Sequence, residues 1–353
     1  MDTRSLSTPA LLLDCAAMAR NAALLDTIRS GSSMALYPHY KSHKCPAIAL
    51  WQLARGAAGI TCAKLGEALD LAEAGVKNIV IANQIVQAEK LPRLAELAKC
   101  VRLTVCVDSA ENVLALEQVM TEAGGTLYVL VEYEVGMRRC GAETHGEVLQ
   151  LAKLISQQSH LRFEGIQAYA GHLAHECDAE KRHAEIRAIE ADVAQLKRCL
   201  EENGIAVPHV GGGSTGTVGD KPKDTVYTQL QCGSYLFMDT SYQALELPFE
   251  QALTVLVTVL SVKDDRVVVD CGVKSMAMDQ RPPVFPDFPD AELSFSEEHT
   301  TIFTKNSAFR PGDRIRYVPG HCCTTINTFS ELHLTEGDEI AETFPIVSRG
   351  RAQ

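Results

Sequence analysis

Short apolar segments alternate with amphipathic, often Ala-rich segments along the first two thirds of the chain. The apolar segments have the lengths of buried strands, and the segments between them place apolar residues at helical spacing. Eight successive strands with intervening helices are typical of a (β/α)8 barrel, although a doubly wound sheet fits the same alternation. Polar clusters at successive strand ends favour the barrel. The predicted strands lie at residues 34–36, 59–62, 78–82, 102–107, 127–131, 163–169, 207–210 and 229–235.

After residue 239 the helical spacing disappears, and short segments rich in Val and Thr follow. The segments LTVLVTVLSV (253–262) and RVVVD (266–270) have the composition of strands, and further strands are expected at 314–318, 331–334 and 339–346. We therefore expect a barrel over residues 15–244 and a mostly antiparallel β domain over residues 245–353. The apolar strand within PALLLD (9–14) suggests that residues 1–14 join this second domain.

Length, charge and cysteine usage narrow the class of protein. A chain of 353 residues is long enough for two domains, and its net charge of -12 argues against nucleic acid or an anionic membrane as a partner. No apolar run approaches the length of a membrane span. The first residues, MDTRS, lack a signal-peptide pattern, so we expect a cytoplasmic protein whose twelve Cys are reduced. A small molecule is the expected partner.

The end of the first barrel strand carries a dense cluster of titratable side chains. His39, Lys41, His43 and Lys44 follow the apolar strand within a few residues. Such a cluster at a strand end suits catalysis, because barrel enzymes bind ligands there. A deprotonated lysine amine can form a Schiff base with an aldehyde. Lys41 is therefore the candidate catalytic residue, and a solvated basic loop is the alternative.

Glycines and hydroxyl side chains follow the seventh and eighth barrel strands. Glycines let backbone N–H groups approach an anion, and barrel phosphate sites commonly lie at this place. A flexible surface turn is the alternative. A reactive lysine together with a phosphate site fits pyridoxal 5'-phosphate, bonded to Lys41. The predicted phosphate-binding residues are Gly212, Gly213, Ser214, Thr215, Gly216, Thr217, Gly233 and Ser234. Tyr235, next in the chain, is predicted to bind the cofactor.

A second candidate site lies near the end of the chain, in the segment VPGHCCTTIN. If this segment is extended, His321 and Cys323 point to the same side, because alternate residues of a strand share a face. An imidazole and a thiolate together suit Zn²⁺, although another divalent ion is possible. Two protein ligands leave positions open for water or substrate. The alternative is ordinary packing of a buried His and Cys.

The motifs PHYKSHK, QAYAGH, GGGSTGT, CGSYLFMD, VVVDCGVKSMAMD and VPGHCCTTIN occur in this order along nearly the whole chain. In this respect the chain resembles the D-serine dehydratase and D-threonine aldolase family, pyridoxal-phosphate enzymes of the alanine racemase type (fold type III). The resemblance implies an alanine racemase-type barrel, Lys41 as the Schiff-base lysine, and Tyr169 in the cofactor pocket. His39 is expected beside them. It also implies a metal at His321 and Cys323, and a homodimer.

Within this family a His-x-Cys pair resembles the zinc-dependent dehydratases, and a His-x-Asp pair resembles the aldolases. Cys323 therefore favours a dehydratase that converts D-serine, D-threonine or D-threo-3-hydroxyaspartate to a 2-oxo acid and ammonia. The alternative is an aldolase that cleaves the Cα–Cβ bond of D-threonine or 3-hydroxy-D-aspartate, giving glycine and an aldehyde. The family usually has Arg where this chain has Tyr37. A second substrate carboxylate would need a cation, for which the candidates are Arg138, Arg139 and His172.

Overall fold

The computed structural model describes residues 2–221, 223–305 and 307–353. The chain divides into two units. The first, which we call the barrel unit, comprises Ile28–Lys41, Pro46–Gly233 and Arg351–Gln353. The second, which we call the β unit, comprises Met1–Thr27, Ser42–Cys45 and Ser234–Gly350.

The barrel unit is built on eight parallel strands. From the second strand to the eighth, each strand pairs with its neighbours along the chain, and the eighth strand also pairs with the first. Successive right-handed β–α–β connections require this order. Their apolar residues are buried, since helices cover the outer face and side chains fill the interior. Strands are numbered along the chain, and β1 (Ala10–Asp14) belongs to the β unit. The barrel strands are β2 (Ala35–Leu36), β3 (Ile60–Cys62), β4 (Asn78–Gln84), β5 (Arg102–Val107), β6 (Leu127–Glu132), β7 (Leu161–Gln167), β8 (His209–Gly212) and β9 (Gln229–Leu230).

The first and second barrel strands close the sheet on itself. The N–H of Ala58 donates to the carbonyl of Leu36 at 2.8 Å, and the N–H of Thr61 donates to Pro38 at 3.0 Å. His39 and Thr61 form a parallel bridge, which joins the chain beyond β2 to β3. Since the first strand pairs with the last as well, the sheet closes on itself, whereas a doubly wound sheet stays open with two edge strands. The predicted barrel is thereby confirmed.

Helices connect the barrel strands, and several begin and end at the residues that their sequences favour. The Ser109 hydroxyl accepts the N–H of Asn112 at the start of the helix Ala110–Ala123, and Gly75, with φ of +100°, follows the end of the helix Leu65–Glu73. Among the described residues, no helix combines the length and apolar character needed to cross a bilayer. The helices are α1 (Cys15–Arg29), α2 (Pro46–Ala54), α3 (Leu65–Glu73), α4 (Leu91–Cys100), α5 (Ala110–Ala123), α6 (His145–Ser156), α7 (Ala179–Glu202), α8 (Thr240–Gln243) and α9 (Cys322–Ile326).

The β unit is a second, mostly antiparallel sheet, as predicted. Besides β1, its strands are β10 (Leu253–Lys263), β11 (Arg266–Val269), β12 (Glu292–Phe295), β13 (Thr300–Phe303), β14 (Arg314–Tyr317), β15 (Glu331–Glu336) and β16 (Glu339–Pro345). Their order across the sheet is β12-β13-β11-β10-β1-β15-β16, with β14 also pairing with β10. Strand β1 lies between β10 and β15, which explains its run of leucines, since a central strand is buried on both faces. Its pairing with β15 is parallel.

Candidate active site

Lys41 lies in a cavity at the ends of the barrel strands. It is half-buried in the short turn Tyr40–Ser42, and its Nζ lies 5.6 Å from the centre of the Tyr169 ring. The cavity has a volume of about 160 Å³. The structure thus brings together His39, Lys41 and Tyr169, which the sequence had placed in the cofactor pocket. The cavity is lined by His39, Lys41, Ala63, Ala82, Asn83, Arg139, Cys140, Gln167, Tyr169 and Gln231.

The backbone before Lys41 is fixed by its neighbours in the barrel. The N–H groups of Tyr37 and His39 donate to Leu230 and Cys232 at 2.9 and 3.0 Å, so pairing with the last strand continues past β2. Pro38 between them has no N–H to donate. Hydrogen bonds on both sides of Pro38 therefore fix the direction of the backbone that brings Lys41 into the cavity.

Two glutamines form a neutral wall of the cavity. The amides of Gln167 and Gln231 exchange hydrogen bonds of 2.7 and 3.0 Å across the ends of β7 and β9. A Cβ on Gly211 would lie 2.6 Å from the Gln167 oxygen, so a larger residue there would displace an amide of this pair. The prediction from sequence did not include either glutamine, although both stand at or next to a strand end, where ligand-binding residues of barrels lie.

The loop after β8 has the form of an anion site. A Cβ on Gly212 would collide with the carbonyl oxygen of Ala168, and a Cβ on Gly213 would lie 2.9 Å from Leu230. The Thr215 hydroxyl is buried, with 1% of the residue exposed, and has no hydrogen-bond partner among the described residues. A buried hydroxyl without a partner is costly unless a ligand satisfies it. The loop therefore fits a phosphate group.

The rest of this loop is held by its own side chains. The Thr217 hydroxyl accepts the N–H of Ser214 at 3.2 Å, and the two hydroxyls lie 3.0 Å apart. Behind the loop, the buried amine of Lys221 lies 3.3 Å from Glu190 and 3.4 Å from the centre of the Tyr227 ring. Burial lowers the pKa of Lys221 to about 8, against the opposing charge of Glu190. This ion pair supports the loop from inside the barrel unit.

The residues predicted after the eighth strand belong to different units. Gly233 lies in the barrel unit, whereas Ser234 and Tyr235 lie in the β unit. The Ser234 hydroxyl lies 3.5 Å from the Cys323 sulfur, and Tyr235 is buried against Phe249. Their part in cofactor binding stays a prediction.

The metal-ligand candidates His321 and Cys323 lie at the start of α9. The prediction of one extended segment was wrong, because the helix begins at Cys322, directly after the extended His321. The cause is Asp239, a buried carboxylate far away in sequence, which accepts the N–H groups of Cys322 and Tyr242 at 2.7 and 2.9 Å. His321 and Cys323 nevertheless hydrogen-bond to each other, so the two candidate ligands are brought together.

The electrostatics of this turn favour a thiolate beside an imidazole. A hydrogen bond from Cys322 and the neighbouring His321 hold the pKa of Cys323 well below its usual range, although burial opposes them. Burial also lowers the pKa of His321, but the Cys323 thiolate and Asp279 outweigh it and raise that pKa to about 9. A thiolate is the form of cysteine that binds metal ions.

Asp279 orients the histidine. Its Oδ2 lies 2.7 Å from Nδ1 of His321, and its Oδ1 accepts the Thr324 hydroxyl at 2.8 Å. A carboxylate on one ring nitrogen leaves Nε2 for a metal, as in many zinc sites. Among the described residues, no group of three or more His, Cys, Asp or Glu side chains is arranged to hold a metal. A metal ion bound by His321 and Cys323 alone would keep its other positions open for water or substrate.

Three cationic side chains were candidates for binding a second carboxylate of the substrate. Arg139 lines the Lys41 cavity, whereas Arg138 and His172 do not. The Arg139 guanidinium lies 5.6 Å from the centre of the Tyr169 ring, whereas His172 lies 3.9 Å from Glu185. Tyr37 is buried in an apolar cluster inside the barrel and does not line this cavity either.

Comparison with known proteins places this chain in a family. Residues 13–241 match the alanine racemase N-terminal domain, and residues 252–335 match the putative serine dehydratase domain. The chain is 38% identical over 351 residues to a D-threonine aldolase from Arthrobacter, which covers 97% of this chain and 93% of the relative. It is 27% identical over 375 residues to a D-threo-3-hydroxyaspartate dehydratase from Delftia, which covers 96% and 97% of the two chains.

Among solved structures, a D-threonine aldolase from Filomicrobium marinum superposes with a TM-score of 0.93 at 34% identity, covering 99% of this chain and 98% of that one. The family is pyridoxal-phosphate-dependent, and its members are metal-dependent. The match to the first domain covers more than half of the chain. The chain therefore belongs to the alanine racemase-type, fold type III pyridoxal-phosphate family, in the branch that adds a serine dehydratase domain.

Proposed function

We propose that this protein is a pyridoxal-phosphate- and metal-dependent lyase that cleaves the Cα–Cβ bond of D-3-hydroxy amino acids such as D-threonine. The observation that carries the proposal is the Lys41 cavity, whose barrel unit also holds a glycine loop with the unpartnered Thr215 hydroxyl. The similarity to D-threonine aldolases, at 38% and 34% identity, supports aldol cleavage over the other reactions of the family.

The residues of the barrel unit would bind the cofactor and move a proton. Bound pyridoxal phosphate supplies an aldehyde for the substrate amine and a ring that accepts electrons from Cα. Lys41 would hold the cofactor at rest and afterwards exchange a proton at Cα of the product. Thr215 and the backbone of Gly212 and Gly213 would bind the phosphate, while Tyr169 forms one side of the cavity.

The residues of the β unit would hold the metal. His321 and Cys323 would ligate a divalent ion, and such an ion lowers the pKa of a bound hydroxyl group. A hydroxyl that has lost its proton is what cleavage between Cα and Cβ requires. We propose zinc, because a thiolate ligand favours it over harder ions such as Mg²⁺. Asp279 would keep the His321 ring in the orientation that leaves Nε2 for the metal.

Dehydration to a 2-oxo acid and ammonia is the second candidate. It is favoured by Cys323, since a His-x-Cys pair resembles that of the zinc-dependent dehydratases. Here the ion would stabilise the departing hydroxide rather than a retained oxygen. Both reactions would use the same residues, so their products distinguish the two candidates and the residues themselves do not. The dehydratase, the homodimer and the cytoplasmic location stay predictions.

The test is to incubate the protein, loaded with pyridoxal phosphate and Zn²⁺, with D-threonine, D-serine and D-threo-3-hydroxyaspartate. Glycine and ammonia are measured in the same samples, with the L-enantiomers as controls. We expect glycine together with an aldehyde. Ammonia with a 2-oxo acid would establish the second candidate instead, and neither product from any of the three would contradict both.

Metal removal gives a separate check. Chelation is expected to abolish turnover while the absorbance of the Lys41 Schiff base persists, and Zn²⁺ should restore turnover. An unchanged rate after verified removal of the metal would refute the role of His321 and Cys323.

A further inference from the structure

Two buried ion pairs join helix α7 to the turn that ends the glycine loop after β8. We call residues 212–217 of that loop the anion loop. Nε of Arg182 lies 2.7 Å from Oδ2 of Asp220, and the two side chains are 7% and 14% exposed. Nζ of Lys221, the next residue, lies 3.3 Å from Oε1 of Glu190. The Arg182 pair already attaches the turn to the helix, so the Lys221 pair needs a further explanation.

Lys221 is buried against the anion loop. Its side chain is 1% exposed. A Cβ on Gly213 would lie 3.2 Å from Cε of Lys221, so this side chain packs directly on the backbone of the loop. The Lys221 amine lies 3.4 Å from the centre of the Tyr227 ring, and a Cβ on Gly212 would lie 2.8 Å from the same ring. The amine is therefore next to the glycines that let an anion approach the loop.

The Lys221 amine is held from two sides. The Glu190 oxygen that it contacts also accepts the Thr225 hydroxyl at 2.6 Å. The Tyr227 ring that it faces is fixed by its own hydroxyl, which donates to the carbonyl of Ala168 at 2.8 Å. Removing an amine and a carboxylate from water is costly, and such a pair is a poor means of stabilising a fold. A positive charge fixed at this position suits ligand binding instead.

The anion loop has no cationic side chain of its own. Residues 211–220 read GGGSTGTVGD and contain neither Lys nor Arg. A phosphate monoester carries a charge of about −1.5 to −2 at neutral pH, whereas backbone N–H groups and a hydroxyl supply only partial positive charges. Lys221 is the first cation after this segment, and it folds back against Gly213. It is therefore the candidate for the missing positive charge.

We propose that Lys221 is a positioning residue for the phosphate of the cofactor, and that its buried charge, held against the anion loop by Glu190, strengthens phosphate binding through the loop. This inference rests on the proposed function, because it takes the anion loop as the phosphate site. A charge that strengthens the binding of an anion is stabilised by that anion to the same extent. Bound phosphate therefore keeps the Lys221 amine protonated.

This coupling makes phosphate binding depend on pH. The groups that face the amine are Glu190 from α7, Asp220 from the preceding turn and Tyr227 from the segment before β9. Burial lowers the pKa of Lys221 to about 8, although the two carboxylates oppose this. Burial raises the pKa of the Tyr227 phenol, so it stays neutral in this range. Phosphate affinity is therefore expected to fall as the pH rises above about 8.

The test isolates the phosphate by comparing pyridoxal 5'-phosphate with pyridoxal, which lacks it. Dissociation constants of both are measured for the full chain from about pH 7 to about pH 9.5, above the titration of the phosphate itself near pH 6. The ratio of the two constants is the phosphate contribution. Both ligands would bond to Lys41, so the titration of that lysine cancels in the ratio. Any difference between the two free ligands is the same in every variant.

Three variants are compared with the wild type. Lys221→Met keeps the length of the side chain without its charge, and Glu190→Gln removes the charge of the partner. Lys223→Met is the matched control, because it removes the same charge from an exposed lysine two positions away.

In the wild type, the phosphate contribution is expected to be large at pH 7 and to fall above about pH 8. Lys221→Met should lower it about tenfold at pH 7 and abolish its pH dependence. Glu190→Gln should move the fall to a lower pH, because loss of the opposing charge lowers the pKa of Lys221. The control should match the wild type. A purely structural role for Lys221 would weaken both ligands and leave the ratio unchanged.

A phosphate contribution in Lys221→Met that equals that of the wild type would overturn the proposal. If that variant does not fold, a fall at the wild-type pH in Glu190→Gln would overturn it equally, and so would a wild-type ratio that does not change with pH. A wild type that binds both ligands equally would refute the phosphate site of the proposed function, and this inference with it. A wild type with a large phosphate contribution but neither product would refute only the proposed reaction.

Discussion

The Lys41 cavity and the turn that carries His321 and Cys323 are built in different ways. The cavity takes its side chains from the ends of several strands, so the barrel as a whole sets its geometry. The turn takes both candidate ligands from neighbouring residues, but distant aspartates set how they are presented. The comparison teaches that closeness in sequence does not make a site locally determined. It also predicts that each region can be damaged without the other.

Lys41→Ala is the largest perturbation of the cavity. Without the amine, no Schiff base with the cofactor can form and proton transfer at Cα is lost, so turnover should fall at least about 10⁴-fold. The metal content of the β unit should be unchanged. Absorbance spectroscopy and metal analysis of the same sample check both statements.

Lys44→Ala is the control for this variant, because Lys44 lies in the same basic segment and is also half-buried. It should keep the Schiff-base absorbance. Retention of that band in Lys41→Ala, with loss in the control, would transfer the role to Lys44.

Asp279→Asn is the converse perturbation, because it alters the turn. Loss of the carboxylate at Nδ1 of His321 removes the partner that orients the ring, so metal affinity should fall about 10- to 100-fold. Cofactor binding should not change. Competition with a chelating dye measures the metal affinity, and Asp287→Asn, an exposed residue of the same long loop, is the control. Equal affinities in the two variants would contradict the orienting role.

Gly212→Ala is the smallest change and tests the anion loop. The added methyl would collide with the Ala168 carbonyl oxygen and lie 2.8 Å from the Tyr227 ring, so the loop must move. We expect cofactor affinity to fall about tenfold, since displacing a packed segment costs about 1–3 kcal/mol. Gly219→Ala is the matched control within the following turn, because a Cβ there meets nothing within 4 Å. Equal cofactor affinity in both variants, measured by fluorescence titration, would remove the loop from the binding site.

The fold could be predicted from sequence because each strand and helix leaves a local pattern. The eight-strand alternation and the change of character after residue 239 are both visible without the structure. The strands β12 and β13 could not be predicted, because Glu292–Phe295 and Thr300–Phe303 are short and follow a proline-rich loop. Their pairing with β11 is a tertiary effect that local composition does not reveal.

The candidate site shows the same contrast between residues that the local sequence reveals and contacts that it does not. Lys41, the glycine loop and the His-x-Cys pair stand out in sequence because unusual residue types lie close together. The contacts around them do not, because Gln167 and Gln231, which form a wall of the Lys41 cavity, are 64 residues apart and Asp279 and His321 are 42 apart. The start of α9 at Cys322 is a further case, since it depends on a single carboxylate far along the chain. Such contacts belong to the folded chain and leave no periodic pattern.

Asp239 has a consequence for how this fold can diversify. Its two oxygens accept N–H groups in the first turns of α8 and α9. These two helices lie at the two ends of a long segment of the chain. Loops within that segment can therefore gain or lose residues while Asp239 still holds the two helix starts together. Relatives with a longer or shorter proline-rich loop should keep an acidic side chain at this position, and a designer who alters the loop should leave it in place.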